Sequence, residues 1–422
     1  MIAASSLLAT PPSSPVRGPA ARRDGMTLVE MLVSTVITLI LIGLVAQLFG
    51  MLGSGVTASR SLLETNDQLR SVAHKLRTDL AGITVAPIPP LRPESANGYL
   101  EIVEGVLSDT SAGVTNLLGD CDDVLLFTTR SLGDPFVGRF GSGLLESPAA
   151  EVAWYCVQAG SVSGVSLYSL YRRQLLVTGM VGTGPFATSG SNAISSSLPG
   201  AYATYDLSLR VEPDGRVYPN SLADVTKREN RFLHNNSATG SFPYTFLNGG
   251  TTGLIFDAAS GRQGEDLLLT NVIAFDVRVF DPYAPIRSDA NGRAMTPGDP
   301  GYGSGSATSP ATYGAYVDLG SSPGLTTLTG SAAAKSQLTR TYDTWSLHYE
   351  FNGLDDDGDT FIDEGSDGLD SNGNDVVDDA AEYETAPPYA APLRGLEIRI
   401  RCYEPSSRQI RQVTVRHTFV PR

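Results

Sequence analysis

Cysteine is scarce in this chain of 422 residues: Cys121, Cys156 and Cys402 are the three, and no two form a C-x-x-C pair. That excludes a zinc ribbon and a disulfide-dense scaffold. Cys121 and Cys156 can bridge in an oxidising compartment, or all three can be separate buried thiols; both readings stay open at this point. Histidine is sparse too. His74, His234, His348 and His417 are dispersed, and neither H-E-x-x-H nor G-x-S-x-G occurs. Each reads as a surface or sheet residue, and the chain is expected not to be an enzyme. Asp357 and Asp363 as an acid pair for glycoside chemistry would need a cleft, which a crowded loop does not provide.

Three further absences are local. No charged side chain lies between Glu30 and Arg60, no proline between Gly25 and Pro87, and no Lys or Arg between Asn352 and Thr385. That last span holds thirteen of the acidic residues, so the formal charge of −15 falls to about −2 over the rest of the chain. The acidity is one local feature, and a generally basic surface for nucleic acid is excluded. The 44 Gly and 26 Pro point to a loop-rich, β-rich body.

The charge-free run organises the chain. Residues 1–25 read as a leader ending in Arg17, Arg22, Arg23 and Gly25. Residues 26–52 are long and apolar enough for a transmembrane helix, which needs about 20 residues. Glu30 is the anomaly, because an isolated carboxylate at the edge of a spanning helix is costly. A secretory signal cut after Val56-Thr57-Ala58 is the competing reading. It is disfavoured because the apolar run exceeds the usual core of roughly 7 to 15 residues. The helical pattern also continues past the proposed cut. Leu62, Leu69, Val72/Ala73, Leu76, Leu80 and Ile83 recur on one face, so residues 53–86 read as an amphipathic continuation. One helix from Met26 to Ile83 is predicted, roughly 87 Å long at 1.5 Å per residue, with local melting at Gly50–Gly55, where each glycine costs up to about 1 kcal/mol. The flanking arginines place the N-terminus in the cytoplasm and the body on the far side of an inner membrane.

Pro87-Ile88-Pro89-Pro90 ends the helix and opens a β-rich body over 87–281. Predicted strands are Tyr99–Val103, Val124–Thr128, Glu151–Val157, Ser166–Leu176, Tyr205–Val211, and the pair Asp266–Thr270 and Ile273–Phe280. Leu222–Asn230 reads as a short helix. Residues 282–335, rich in Gly and Ser, read as a surface insertion. Within 336–422, Thr341–Phe351 reads as strand, and Leu396–Tyr403 with Ile410–Phe419 as a hairpin. The fold class is α+β: a long N-terminal helix, half spanning and half amphipathic, packed on an antiparallel β-sheet.

Residues 352–379 contain an internal repeat. Asn352-Gly353-Leu354-Asp355 begins a copy that Asp367-Gly368-Leu369-Asp370 restarts fifteen residues on, both following [ND]-G-L-D-x-[DN]-G-[DN]-x-x-[IV]-D-[ED]. Oxygen side chains at alternate positions, with glycines permitting sharp bends, suit a hard cation such as Ca²⁺. The predicted ligands are Asp355, Asp357, Asp359, Asp363 and Glu364 in the first copy, and Asp370, Asn372, Asn374, Asp378 and Asp379 in the second. Ile362 and Val377 are expected to pin the loops to the body, and calcium to order the segment. The EF-hand pattern is incomplete, since Gly353 and Gly368 stand where its first ligand would; the spacing resembles thrombospondin type 3 loops more closely. The competing reading is a solvated acidic loop.

Gly25-Met26-Thr27-Leu28-Val29-Glu30-Met31-Leu32-Val33 resembles the cleavage and methylation site of type IV pilins and type II secretion pseudopilins. The resemblance implies cleavage between Gly25 and Met26 by a prepilin peptidase, methylation of Met26, and pairing of Glu30 with the N-terminal amine of a neighbouring subunit. Leu69–Leu80, Asp123–Thr129, Glu151–Tyr155, Tyr171-Arg172-Arg173 and Leu268–Phe280 are similar to the pattern of J-type minor pseudopilins and W-type minor pilins. The chain is about twice the usual J-type length, and 282–335 and the acidic repeat depart from the family pattern. The function implied is an assembly subunit of a type II secretion pseudopilus, partnered by other minor pseudopilins or pilins. A minor type IV pilin or a calcium-dependent surface adhesin is the alternative.

Overall fold

The computed structural model describes residues 26–87, 96–105, 120–178 (163 aside), 198–234 (213–214 aside), 266–289, 291–297, 299, 302, 312–319, 341–355 (345–346 aside), 360–378, 382–383 and 392–419, with the side chains of 52, 54 and 56–58 excluded. The leader and Gly25 lie outside them. The chain divides into two units, Met1–Ser59 and Arg60–Arg422.

Helix α1, Leu28–Ala81, runs for 54 residues. Its glycines at 50, 53 and 55 do not interrupt it. Each costs at most about 1 kcal/mol, less than leaving the amides of an apolar segment unpaired. Within the first unit its apolar side chains are exposed all round, from Leu28 at 81% to Val45 at 45%. In the second unit the same helix is one-sided: Leu69, Val72, Ala73, Leu76 and Leu80 are buried, and Leu62 and Ile83 are half-buried at the ends of that stripe. The helix stops at Gly82, where a Cβ would lie 2.2 Å from the Arg130 carbonyl oxygen. Ile83 then bridges to Thr129.

The body is built on one antiparallel sheet. Its strands are β1 (Leu100–Val103), β2 (Val124–Arg130), β5 (Ala149–Val162), β6 (Val165–Val177), β9 (Leu267–Ser288), β12 (Thr341–Asp343), β13 (Gly395–Glu404) and β14 (Gln409–Thr418), ordered β12-β1-β2-β5-β6-β9-β13-β14. Two more, β10 (Ala294–Met295) and β11 (Thr312–Val317), pair with β9. Two small hairpins, β3 (Phe136–Phe140) with β4 (Gly143–Ser147) and β7 (Leu209–Val211) with β8 (Val217–Pro219), stand apart from it.

Both faces of the central sheet are covered. Leu125, Phe127, Val152, Trp154, Phe275, Val277, Ile398 and Ile400 face the helical stripe Leu69–Leu80 in one core. Val124, Leu126, Ala153, Tyr155, Leu175 and Leu176 face a second core closed by Ala201, Tyr202, Leu207, Val225 and Phe232. A strand buried on both faces needs apolar residues in succession, which is why β2 reads Val-Leu-Leu-Phe and does not alternate. Helix α2, Leu198–Thr204, belongs to that second layer.

Several expectations are corrected. Asp266–Thr270 and Ile273–Phe280 are one strand of 22 residues, kinked at Asn271 (φ 55°). The 282–335 segment is not wholly an insertion, because 282–288 continues β9 and β11 pairs along it. Thr341–Phe351 splits into β12 and a 3₁₀ turn, Leu347–Phe351. Leu222–Asn230 is two 3₁₀ turns, Asp224–Thr226 and Arg228–Asn230. The final hairpin forms in register from Gly395↔Thr418 to Glu404↔Gln409.

Candidate processing site and acidic loop

Helix α1 opens with a reciprocal cap. The Thr27 amide and hydroxyl donate to Glu30 Oε2 at 2.9 and 3.1 Å, and the Glu30 amide donates to Thr27 Oγ1 at 3.2 Å. This is a capping box: Thr27 as N-cap and Glu30 three residues on satisfy amides that have no partner inside the helix. A carboxylate in the first turn also meets the positive end of the helix dipole. The motif T-x-x-E was legible in Thr27–Glu30, and the partnership with Thr27 was missed. Ser34, Thr35 and Thr38 return their hydroxyls to the carbonyls of Met31, Leu32 and Ser34 at 2.7–2.9 Å, so Leu28–Met51 presents little unsatisfied polarity.

The body holds its helix by charge as well as by apolar packing. Asp79, 2% exposed on the inner face of α1, accepts from Arg172 Nε at 2.6 Å and Nη2 at 2.8 Å, and from Trp154 Nε1 at 3.1 Å. Leu69–Leu80, Glu151–Tyr155 and Tyr171–Arg173, separate segments in sequence, thus meet at one buried contact. On the opposite face Arg231 donates to Glu101 Oε2 at 2.9 Å and Asp343 Oδ1 at 3.0 Å and lies over the Tyr99 ring at 4.1 Å. Burial works to raise the Glu101 carboxyl, but His234, Arg231 and Arg228 outweigh it and hold it at about 2.

In the acidic loop the repeat is structural as well as sequential. Gly353 and Gly368, Thr360 and Asp375, and Asp363 and Asp378 share positive φ pair by pair. The Gly353 amide donates to Asp363 and the Gly368 amide to Asp378; the Thr360 amide donates to Asp355 Oδ2 at 3.0 Å and the Asp375 amide to Asp370 Oδ2 at 2.8 Å. Asp370 Oδ1 and Asn372 Oδ1 both accept the Asn374 amide at 3.0 Å, which brings two predicted ligand oxygens together. Asn374 Oδ1 accepts the Val376 amide at 2.8 Å. Glu364 is buried. Asp357, Asp359 and Asp379 lie outside the described residues. Glu382, absent from the predicted set, accepts the Ser371 and Asn372 amides at 2.5 and 3.2 Å.

Ile362 and Val377 do not pin the loops, being 53% exposed each. The aspartates beside them, Asp363 and Asp378, fold inward onto backbone amides and leave these apolar neighbours outside. Among the described residues, three carboxylates converge within 4.8 Å elsewhere, at buried Asp120, Asp122 and Asp123. Burial and the charges of Glu104, Asp120 and Asp276 raise the Asp123 carboxyl well above its usual range. Nothing in the sequence reading pointed to that cluster. Cys121, Cys156 and Cys402 are all buried.

A capped acidic residue thus opens a helix that is apolar on every side. Residues 21–46 match the family model described as the prokaryotic N-terminal methylation motif, the signal carried by type IV pilins and pseudopilins. The match covers the N-terminal motif and none of the body. No curated protein and no solved structure matches the chain.

Proposed function

We propose that the chain is a minor pseudopilin-like assembly subunit of a type II secretion pseudopilus, without enzymatic activity. The observation that carries the reading is the methylation motif at residues 21–46 leading into an apolar helix whose first turn holds Glu30. In this reading prepilin peptidase cuts between Gly25 and Met26 and methylates Met26. The helix Leu28–Met51 anchors the subunit in the inner membrane, N-terminus cytoplasmic and body periplasmic, until it enters the filament. Glu30 then exchanges its contact with Thr27 for the N-terminal amine of a neighbour, so that two membrane charges offset each other. The body contacts other minor subunits. Its bulk favours a place at the filament end, where it need not repeat.

The acidic loop supplies a second element of the proposal. Asp355, Asp357, Asp359, Asp363 and Glu364, and Asp370, Asn372, Asn374, Asp378 and Asp379, would hold Ca²⁺ in two related loops, and the ion would offset the crowded carboxylates. Exposed Leu354, Phe361, Ile362, Leu369, Val376 and Val377 on that loop favour a second reading, a minor type IV pilin or calcium-dependent adhesin.

Affinity purification of the full chain from membranes after crosslinking separates the two. Recovery with other minor pseudopilins supports the secretion reading. Surface binding by filaments that carry the chain, lost on chelation, replaces it with the adhesin reading.

A further inference from the structure

We propose that Cys121 and Cys156 form a disulfide in the mature protein, stapling the segment before β2 to β5. Both side chains belong to the core beneath the helix, at 3% and 5% exposure. Their approach follows from the strand register. Val124 opposes Tyr155, so the next rung of the ladder pairs Asp123 with Cys156. Cys121 lies two residues further on, on the face that also carries Leu125, Phe127 and Trp154. The segment carrying Cys121 is fixed from its other side. The Phe275 amide donates to the Asp120 carbonyl at 2.7 Å, and the Val277 amide to Asp123 Oδ2 at 2.7 Å. Asp123 Oδ1 accepts the Gly105 amide at 3.3 Å. Cys121 and Cys156 thereby sit diagonally across the end of the β2–β5 ladder, on the same face and in the same core. Cys402 is engaged elsewhere, with the Thr270 carbonyl at 3.3 Å.

The chemistry is thiol–disulfide exchange with a disulfide carrier, protein or glutathione, as oxidant. One cysteine thiolate attacks the carrier disulfide and expels a carrier thiolate. The second cysteine, as thiolate, attacks the resulting mixed disulfide, forming the Cys121–Cys156 bond and releasing the other carrier thiolate. The protein loses two electrons and two protons, and the carrier disulfide becomes two thiols. Burial and the neighbouring thiol raise the Cys121 thiol well above its ordinary value, so exchange belongs to the folding chain, before the core closes. The bond closes a loop of about 35 residues and restricts the unfolded chain.

The inference rests on the proposed periplasmic location of the body, and two arms separate that premise from the geometry. In the first, the full chain is unfolded in reductant and refolded in detergent with a glutathione redox buffer. Peptide mapping after thiol alkylation should find 121 and 156 joined and a single alkyl group, on Cys402. Three alkylated cysteines, or a bond to Cys402, overturns the proposal on geometry. In the second, thiols are blocked in intact cells before the chain is extracted. A 121–156 link supports the proposal; three free thiols there, after a positive first arm, overturns it through the location. The linked protein should resist dithiothreitol when native and yield to it in denaturant. A C402S variant should keep the link in both arms.

Discussion

Glu30 has a partner within the isolated chain, and that changes what its removal should do. A Glu30→Ala variant loses the carboxylate of the capping box, which costs about 0.5–2 kcal/mol of helix stability at most, too little to unfold a 54-residue helix. It should therefore be cleaved at Gly25 normally. Its incorporation into filaments should fall by at least about tenfold, because in the proposed assembly the variant leaves the neighbour's amine unpaired in the membrane. Normal incorporation, read by shearing and immunoblotting, would remove the assembly role. Asp79 is the corresponding residue in the body. Arg172→Met strands a carboxylate that is 2% exposed, and should destabilise the full chain in detergent by about 3–5 kcal/mol, measured by denaturant titration of tryptophan fluorescence. A midpoint equal to that of the parent would show that the helix is held by apolar packing alone. Glu30 could be read from the sequence because it is the one charged side chain between Asp24 and Arg60. Asp79 and Arg172 could not be paired, since 93 residues separate them and only the sheet register brings them together.

At the scale of elements, the acidic loop makes the sharpest prediction. Two copies with matching positive-φ positions and matching amide-to-carboxylate bonds are a repeated device, and calcium binding there should raise the thermal midpoint of the full chain. With calcium at 100 to 1,000 times Kd the gain is roughly 3–4 kcal/mol per site. Equal midpoints in excess calcium and excess chelator would refute the ion. Calcium should persist in raising the midpoint of an Asp355→Asn variant by a smaller amount, and that of a paired Asp355→Asn, Asp370→Asn variant hardly at all. Helix α1 was legible because its two signals are long: an interval without charge, then a stripe of apolar residues at steps of three and four. Strand β9 was not. Asn271 adopts φ 55°, which reads as a turn, and Pro282 and Pro285 read as an end. Pro282 survives there because the pairing is interrupted: the β11 register shifts between Tyr313, opposite Pro285, and Ala315, opposite Asp281, where Gly314 has φ 103°. The strap from Asp224 to His234 was illegible for a different reason, its stability coming from buried charges on distant strands.

For the whole molecule, carboxylates held below their ordinary range set an acid limit. Two carboxyls are held at about 2 against an ordinary 4.5. Glu101 is held there against burial by His234 and the two arginines. Glu404, at the hairpin turn, is held by Ser61 foremost, with the Ser406 amide and Thr65 assisting. A folded-state value below the unfolded one contributes stability that is complete above the ordinary value and is lost as pH falls through the folded value. The full chain should thus lose stability progressively from about pH 4.5 toward pH 2, followed by circular dichroism. A Glu101→Gln variant should be less stable at neutral pH and show a shallower decline across that window. An equally steep decline would place the acid limit elsewhere. The sheet's two covered faces explain why the body needs these pairs: a layer of chain from 198 to 234 must be fixed over a sheet whose other face already holds the helix. Whether the N-terminus is processed as a prepilin signal is decided by the mass of the mature chain. Intact-mass and N-terminal peptide analysis of the chain, co-expressed with a prepilin peptidase, should find a protein beginning at Met26 with a methylated amine. The same chain without the peptidase should retain its leader. A chain that keeps Gly25 in the presence of active peptidase, or that is cut instead after Ala58, would contradict the account.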